Sequence, residues 1–418
     1  MKRIYPILVL IFVCFLAIHQ FILDLRATNR FDPLLATNTL DLLRPVSLIA
    51  EANIKRRHFL TQNSTVLPVW FKNYVVQHRA KRLALTESNW KDQRFLIMRC
   101  LVTDDECGGA SDRLSSIPTM LMVANKTDRM LFIKWSRPAP LQEFLVPPEG
   151  GLDWTIPEWL DKRLNFTALP QSCGPNIRQD LQNITEVLER VASDEPIMTF
   201  WQQLQCRRID YYHKHKGAHE KGFHVVSREF WDTLFTPSAP VAALIQQNMK
   251  DLNLVPGEYV ATHVRTLYDR DESNDVAAIH NGINCATQMR PGWPVYFASD
   301  SSNATLAALE YGRSKRKNRD TTIVVARVAD TEPLHLDRGT DYLKFLDARK
   351  NLGAATFYDT FVDLYLLAES HCVAYGTGNY GMWGATLLHN KKCILSNSDK
   401  RCGWTDLTSS SKKQAAVV

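Results

Sequence analysis

One stretch organises the chain: Glu258-Tyr-Val-Ala-Thr-His-Val-Arg-Thr-Leu-Tyr-Asp-Arg-Asp-Glu272. Residues 259–264 are apolar enough for a buried strand, and a cluster of charged residues follows them. Open α/β sheets present side chains to ligands at the carboxyl ends of their strands. Arg265 suits a phosphate there, because its planar fork of donors matches phosphate oxygens and its charge does not titrate. We therefore predict a strand that brings His263 and Arg265 to an anionic ligand; a strand end with solvated charges is the alternative.

Length and composition narrow the class of protein. The chain has 418 residues, is 45% hydrophobic and carries a formal net charge of +6. It can bury a large core and is long enough for two or three domains. Its basic residues are dispersed, without the aromatic-interleaved basic face that phosphate-tracking proteins carry. The composition therefore argues against nucleic-acid binding.

The N-terminus predicts a membrane anchor. Residues 4–23 have no formal charge and follow the basic start Met1-Lys-Arg3. Twenty apolar residues in a helix span a bilayer core of about 30 Å. Basic residues before the span keep the N-terminus cytosolic, and no small-x-small cleavage site follows, although a cleaved signal peptide is the alternative. We expect residues 1–25 to be a cytosolic tip and signal anchor, and residues 26–93 a stem with some helix over 69–82.

Cysteines and glycosylation tripeptides agree with an oxidising, lumenal compartment. Eight cysteines are left once Cys14 is assigned to the anchor, and an even set suits disulfides, with buried free thiols as the alternative. Cys100/Cys107 and Cys393/Cys402 are the closest pairs. No Cys-x-x-Cys pair occurs, which argues against structural zinc. Asn-x-Ser/Thr occurs at Asn63, Asn125, Asn165, Asn183 and Asn303. The histidines of a surface segment lack regular ligand spacing, so we expect no metal at His213, His215, His219 and His224.

The folded part divides into two α/β halves, residues 94–256 and 257–405, before a tail at 406–418. In the first half, strands 95–98 and 130–135 flank a helix at 117–126, and Gly108-Gly109 lie at the strand-to-helix turn. We expect a further helix over 180–192. In the second half, strands 259–264, 294–300, 321–327 and 372–377 alternate with helices 304–313, 357–370 and 382–389, and a polar loop reaches residue 292. Such alternation predicts parallel, doubly wound sheets with a ligand cleft between the halves.

Four motifs in order resemble the GDP-fucose-dependent fucosyltransferases. His263-Val-Arg265 with Asp269 is similar to their His-x-Arg-x-x-x-Asp motif, and Phe297-Ala-Ser-Asp300 to their second motif. Residues 359–381 resemble the third, a helix, a strand and a small polar loop. Gly108-Gly-Ala-Ser-Asp-Arg-Leu114 resembles their N-terminal glycine loop. The similarity spans roughly residues 95–400.

The resemblance implies a GT-B-like fold, two Rossmann-like halves facing a cleft, with GDP-fucose as co-substrate and no metal or other cofactor. It implies that Arg265 holds the β-phosphate and that His263 and Asp300 contact the nucleotide. Asp112, with Gly108 and Gly109, would face the reacting sugar. The phosphates would be cradled by Thr377, Gly378, Asn379 and Tyr380.

The sequence departs from this family at several positions. Thr266 stands where α1,2- and α1,6-transferring members often have a second arginine, and the spacing to Asp269 looks more like the protein O-fucosyltransferases. Gly378-Asn379 replaces the usual Ser-Ser or Ser-Phe. The acceptor, a glycan or a protein hydroxyl, therefore stays open, and another GDP-sugar donor is not excluded.

Sugar transfer from a nucleotide needs two kinds of group. Negative charge builds on the leaving diphosphate, and a positioned arginine with helix-terminal amides stabilises it. A carboxylate base then assists an acceptor hydroxyl that attacks the opposite face and inverts the anomeric carbon. The candidate bases are Asp269, Asp271 and Glu272, of which we favour Glu272.

Two other functions fit the same residues. Asp269-Arg270-Asp271 is an Asp-x-Asp after an apolar strand, the form that holds a divalent cation in metal-dependent GT-A glycosyltransferases. A non-catalytic lumenal glycoprotein that binds a glycan or sugar nucleotide is the second, because fold does not ensure activity. The preferred hypothesis is an inverting fucosyltransferase, single-pass type II in the Golgi or ER membrane with its catalytic domain in the lumen, that binds a sugar nucleotide and a glycan or glycoprotein acceptor.

Overall fold

The structure is a computed structural model, and it describes residues 64–104, 107–169, 171–173, 195–201, 223–266, 272–317, 321–328, 336, 353–397 and 401–404. All of these residues belong to one compact unit. Two mainly parallel sheets form its frame. The predicted α/β class is therefore confirmed.

The N-terminal half is built on a four-stranded sheet. Its elements are α1 (Val69–Ala84), β1 (Phe95–Cys100), α2 (Ala110–Ser115), α3 (Ile117–Lys126), β2 (Met130–Trp135), β3 (Leu145–Val146), α4 (Glu158–Asp161), β4 (Gln171–Cys173) and β5 (Ile197–Trp201). The strand order is β2-β1-β5-β4, and all three pairings are parallel. Every residue of β1 is buried, as expected of a central parallel strand covered on both faces.

Helix α1 packs against this folded half and lies within residues 26–93, the segment predicted to be a stem. Its inner face buries Phe71, Tyr74, Val75 and His78. The Tyr74 hydroxyl donates to the Arg129 carbonyl at 3.0 Å and accepts from the Leu131 amide at 2.9 Å. The prediction of a helix near residues 69–82 was correct. Its four buried residues pack against the sheet of this half.

Two helices and a short strand connect the halves. They are α5 (Phe223–Leu234), β6 (Thr236–Pro237) and α6 (Ala239–Asp251). Phe230 of α5 stacks on Phe71 of α1, with ring centroids 3.8 Å apart. The largest buried cluster contains Leu96 from the first sheet and Val373 from the second. The two halves therefore share one continuous core.

The C-terminal half is built on a six-stranded sheet of order β12-β11-β10-β7-β8-β9. Its elements are β7 (Val260–Val264), α7 (Glu272–Met289), β8 (Pro294–Ser299), α8 (Ser302–Lys317), β9 (Ile323–Ala326), α9 (Tyr358–Ala368), β10 (Cys372–Tyr375), α10 (Asn379–Thr386), β11 (Ile394–Ser396) and β12 (Gly403–Trp404). Only the pairing of β11 with β12 is antiparallel. Strand β7 lies between β10 and β8, so its carboxyl end is at the middle of the sheet edge.

Helix α7 occupies most of the segment that was predicted as a polar loop. That prediction was wrong because it weighed the polar start of the segment and missed its periodicity. Ile279, Ile283 and Ala286 recur at helical spacing and are all buried. The helix packs against β7 and β10. Helix α10 likewise begins at Asn379, three residues before the predicted start.

Three disulfides lie within the described residues: Cys100–Cys107, Cys285–Cys402 and Cys372–Cys393. The first pair was predicted, and the predicted Cys393/Cys402 pair was wrong. Cys372 starts β10 and Cys393 directly precedes the neighbouring strand β11, so the fold places these two side by side. Cys402 instead reaches Cys285 on α7, across 117 residues of sequence.

Several expectations concern parts of the chain outside the described residues. They include the anchor at 4–23, the helix at 180–192 and the histidines at 213, 215 and 219. Among the described helices, none is both long and apolar enough to cross a bilayer. Asn125 and Asn303 lie in helices, as expected. The boundaries proposed for the domains stay predictions.

Candidate functional site

The site is built around the carboxyl end of β7. His263 is the fourth residue of this strand, and Arg265 follows its last residue. Thr266 donates its backbone N–H to Asp300 Oδ1 at 2.8 Å. Asp300 follows β8, the neighbouring strand, in the same way. Parallel pairing of β7 with β8 therefore brings the predicted residues Arg265 and Asp300 together at one edge.

Arg265 is held but only partly covered. Its Nε lies 3.6 Å from Asp300 Oδ2, and its side chain is 18% exposed. The Asp300 carboxylate orients the guanidinium, which keeps part of its surface exposed to solvent. The charge can therefore attract an anionic ligand while the arginine is pre-positioned.

A glycine turn closes on this arginine from the next strand. Gly378 joins β10 to α10 with φ 95° and ψ 161°, a backbone region that is essentially restricted to glycine. A Cβ added there would lie 3.2 Å from Arg265 Nη1 and 3.3 Å from its Cδ. A side chain at residue 378 would therefore press on the arginine, which would have to shift by a few tenths of an ångström.

The turn leads into α10, whose first residues are Asn379 and Tyr380. Thr377 and Asn379 are exposed. The first amides of a helix have no intrahelical acceptor, and the helix dipole is positive at this end. The N-terminus of α10 and Arg265 thus form one electropositive corner. It contains all four residues that were predicted to cradle phosphates.

His263 forms the buried floor of this corner. Its ring lies 5.1 Å from that of Tyr380, and its Nδ1 has no hydrogen-bond partner among the described residues. Burial is the main cause that lowers the His263 pKa from 6.5 to about 4, with Asp300 and Arg265 acting in opposite directions. A Cβ on Gly381 would lie 2.9 Å from Nδ1. The histidine is therefore neutral at physiological pH and is packed directly against α10.

The glycine loop of the N-terminal half reaches the same corner. Gly108 has φ 74°, and Gly109 donates its N–H to Asp112 Oδ2 at 3.0 Å. The other oxygen of Asp112 accepts from Asn379 Nδ2 at 3.2 Å. This hydrogen bond connects α2 with α10 and so joins the two halves at the predicted site.

A small cavity lies at the carboxyl end of β8, next to Asp300 in the sequence. Its wall includes Ser299 and Ser302, and apolar Leu306 and Val328 also line it. The charged residues of the wall are Arg327 and Asp363. They form a salt bridge in which Arg327 Nε lies 3.1 Å from Asp363 Oδ1. An apolar slot with a few convergent polar groups is the usual form of a small-ligand site.

Sequence reasoning missed the polar network of this cavity. The Tyr296 hydroxyl donates to Asp363 Oδ1 at 2.7 Å, and Arg327 Nη1 contacts Asp359 at 2.5 Å. Burial raises the pKa of the Tyr296 hydroxyl well above its usual value, so the tyrosine is a donor. Arg327 follows directly after β9, so the strand-end argument used for Arg265 also applied to it.

The predicted carboxylate bases are not placed by the structure. Asp269 and Asp271 lie outside the described residues, and Glu272 is the first residue of α7, with its side chain undescribed. One group of metal-binding residue types occurs within the described residues, His371 with Cys372 and Cys393. The two sulfurs of that group are bonded to each other, which removes them as thiolate ligands.

The fold is similar to those of solved fucosyltransferase structures. A mutant of Arabidopsis thaliana FUT1 in complex with GDP has a TM-score of 0.50 at 12% identity, covering 82% of this chain and 86% of that one. Fucosyltransferase NodZ from Bradyrhizobium is 17% identical, with a TM-score of 0.43 and coverage of 73% and 95%. POFUT1 in complex with GDP-fucose is 9% identical, with a TM-score of 0.36 and coverage of 71% and 94%. No family model and no curated protein matches the chain. The chain therefore shares the fold of a fucosyltransferase.

Proposed function

We propose that the protein is a glycosyltransferase that transfers fucose from GDP-fucose to a hydroxyl of a glycan or protein. The observation that carries this proposal is the corner where Arg265, backed by Asp300, lies against Gly378 at the N-terminus of α10. A permanent cation beside a helix N-terminus is suited to a diphosphate. The fold shared with FUT1, which was solved in complex with GDP, supports the assignment.

In this proposal the nucleotide lies along the edge of the C-terminal sheet, at the carboxyl ends of its strands. The diphosphate contacts Arg265 and the first amides of α10. The nucleoside enters the neighbouring cavity. The lining of this cavity includes Ser299 and Ser302, which flank Asp300 and Ser301 in the sequence. The two halves then face each other in a GT-B-like arrangement, with the sugar between the turn at Gly378 and the glycine loop at Gly108.

The residues at the corner supply electrostatic stabilisation. As the bond between fucose and the β-phosphate breaks, negative charge grows on the diphosphate. Arg265 and the α10 amides are already oriented toward that charge, so no reorganisation is needed during the reaction. Neutral His263 packs the floor without adding a second buried charge. An acceptor attacking from the opposite face inverts the anomeric carbon, with Glu272, or else Asp269 or Asp271, as the base.

The proposed location is the lumen of the Golgi or ER, with the chain held by its N-terminal anchor. Three disulfides among the described residues support an oxidising compartment. Protease protection of the full chain in sealed microsomes tests this. A protected body with an exposed N-terminus is the expected result, and a fully digested chain contradicts it.

Transfer itself is tested with radiolabelled GDP-fucose, GDP-mannose and UDP-sugars, each in EDTA and in Mn²⁺, against glycan and protein acceptors. The expected result is transfer or slow hydrolysis of GDP-fucose in EDTA, with the configuration of the anomeric carbon inverted in the product. Turnover of a UDP-sugar only in Mn²⁺ would favour the GT-A alternative at Asp269-Arg270-Asp271. Binding of a nucleotide sugar without turnover of any donor would favour the non-catalytic alternative.

A further inference from the structure

Asn165 begins an exposed turn that follows α4. The tripeptide Asn165-Phe166-Thr167 is an N-glycosylation acceptor by sequence, and the proposed donor site does not use it. Asn165 and Thr167 are exposed, whereas Phe166 between them is only 9% exposed. The carbonyl of Asn165 accepts from the Ala168 amide at 3.0 Å, which closes the turn. The two residues that a glycosylating enzyme must reach are therefore both on the surface.

Phe166 fixes this turn to the body of the protein. Its side chain is part of a buried apolar cluster of the N-terminal half. Its carbonyl accepts a hydrogen bond from Nη1 of the buried Arg99, and Lys134 Nζ lies 5.2 Å from the centre of its ring. Because the middle residue is held from the inside, the residues on either side of it are presented to solvent in one defined conformation.

The hydroxyl and the amide of the tripeptide lie together. Thr167 Oγ1 donates to Asn165 Oδ1 at 2.8 Å. The acceptor tripeptide requires an asparagine and a hydroxyl two residues later, so an enzyme surface has to engage both groups at once. The turn at Asn165 places them on one side of the chain, as such a surface requires.

Two other tripeptides of this kind lie in described helices and lack this arrangement. Side chains two positions apart in an α-helix do not face each other. Thr127, which belongs with Asn125, is buried, and its hydroxyl donates to the carbonyl four residues earlier at 2.8 Å. Thr305, which belongs with Asn303, is buried and makes the same bond at 3.1 Å. Both hydroxyls are thus engaged by their own helices and turned away from solvent.

We propose that Asn165 carries an N-linked glycan and that Asn125 and Asn303 do not. This inference rests on the lumenal location proposed above, because it needs a lumenal donor, an oligosaccharide carried on a lipid diphosphate. Asn165 Nδ2 forms a bond to the anomeric carbon while the bond from that carbon to the diphosphate oxygen breaks. The amide nitrogen gives one proton to a base of the transferring enzyme, and the diphosphate leaves with the bonding electrons. The bulky, hydrophilic glycan then extends into solvent from the exposed turn.

Translation of the full chain into sealed microsomes tests this assignment. Every chain carries a flexible glycine-serine tail after Val418 with one added Asn-Ser-Thr acceptor, which reports whether the body has entered the lumen. Asn165→Gln should lose one glycan on gels relative to wild type, and Thr167→Ala should lose the same one. Thr167→Ser should keep it, because the hydroxyl is retained. The matched controls Asn125→Gln and Asn303→Gln should lose none.

Asn63 and Asn183 lie outside the described residues and stay unchanged in all variants, so each readout is a difference from wild type. Enzymatic release of glycans in heavy-oxygen water, followed by peptide mapping, locates them, because release turns a modified asparagine into a labelled aspartate. A glycosylated tail with an unmodified Asn165 would overturn this inference and leave the location standing. A glycan at Asn125 or Asn303 would also overturn it. A chain without any glycan, on the tail or on the body, would contradict both the location and the inference.

Discussion

The side chain of Asn379 donates a hydrogen bond to Asp112 at 3.2 Å, across 267 residues of sequence. One residue belongs to α2 of the N-terminal half, and the other is the first residue of α10 in the C-terminal half. Asp112 also accepts from the Gly109 amide, so the contact connects the glycine loop with the turn at Gly378. We expect this relation to set the geometry of the donor site.

Exchanging the two side chains tests this contact. Asn379→Asp places two carboxylates together, so we predict a loss of GDP-fucose affinity of about fivefold, equivalent to ~1 kcal/mol. Adding Asp112→Asn to this variant restores a donor and an acceptor. The new amide oxygen can keep the Gly109 bond while the amide nitrogen donates to the carboxylate introduced on α10. Calorimetric titration of the two single variants and the double variant measures the coupling. Simple additivity of the two losses would show that the contact does not position the site.

Gly378→Ala should disturb the turn between β10 and α10. Its backbone conformation is essentially glycine-only, which costs an alanine about 1–3 kcal/mol, and the added methyl would press on Arg265. Gly257→Ala is the matched control, because Gly257 also has a positive φ of 78° but has no atom within 4 Å of the added Cβ. Both variants should lose stability in denaturant titrations. Only Gly378→Ala should also weaken nucleotide binding, and equal binding by both would argue against the turn as the phosphate site.

Acid should destabilise the protein through its buried histidines. The His263 pKa is lowered from 6.5 to about 4 by burial, and so is the pKa of His78. Between these values the unfolded chain takes up a proton that the folded chain excludes, so stability falls as pH falls from 6.5 to 4. Each histidine should account for about 2 kcal/mol by pH 5. Denaturant unfolding of wild type, His78→Gln and His263→Gln at pH 7.5 and pH 5 measures this, and an unchanged pH dependence in both variants would contradict it.

Lys391 should make stability depend on alkaline pH. Burial lowers its pKa from 10.5 to about 7, and its Nζ donates to Ser227 Oγ at 2.8 Å. Between pH 7 and 10.5 the unfolded chain binds a proton that the folded chain does not, so stability rises with pH by about 2–3 kcal/mol from pH 7.5 to 9.5. Lys391→Met should remove this rise, and Lys392→Met, at an exposed position, should keep it. Identical pH profiles for the two variants would disprove the assignment.

The sequence was most informative where local pattern and fold agree. The apolar run before Arg265 and the glycines at 376–378 identified the strand ends that meet at the site, because parallel strands place their carboxyl ends together. It failed where tertiary contacts decide. The Cys372–Cys393 and Cys285–Cys402 pairs depend on which strands are neighbours. Helix α1 packs on the folded half through a buried face that the sequence pattern alone did not predict. The polar start of α7 hid its helical periodicity.

The central claim is that Arg265 at the end of β7 binds the diphosphate of a guanine nucleotide. Its most direct test is calorimetric titration of GDP into the full chain in EDTA, comparing wild type with Arg265→Ala and with Arg313→Ala, an exposed arginine on α8. We predict that wild type and Arg313→Ala bind GDP equally and that Arg265→Ala binds about 100-fold more weakly, equivalent to ~2.7 kcal/mol. Equal GDP affinity in all three proteins, or no GDP binding by the folded wild type, would contradict the account.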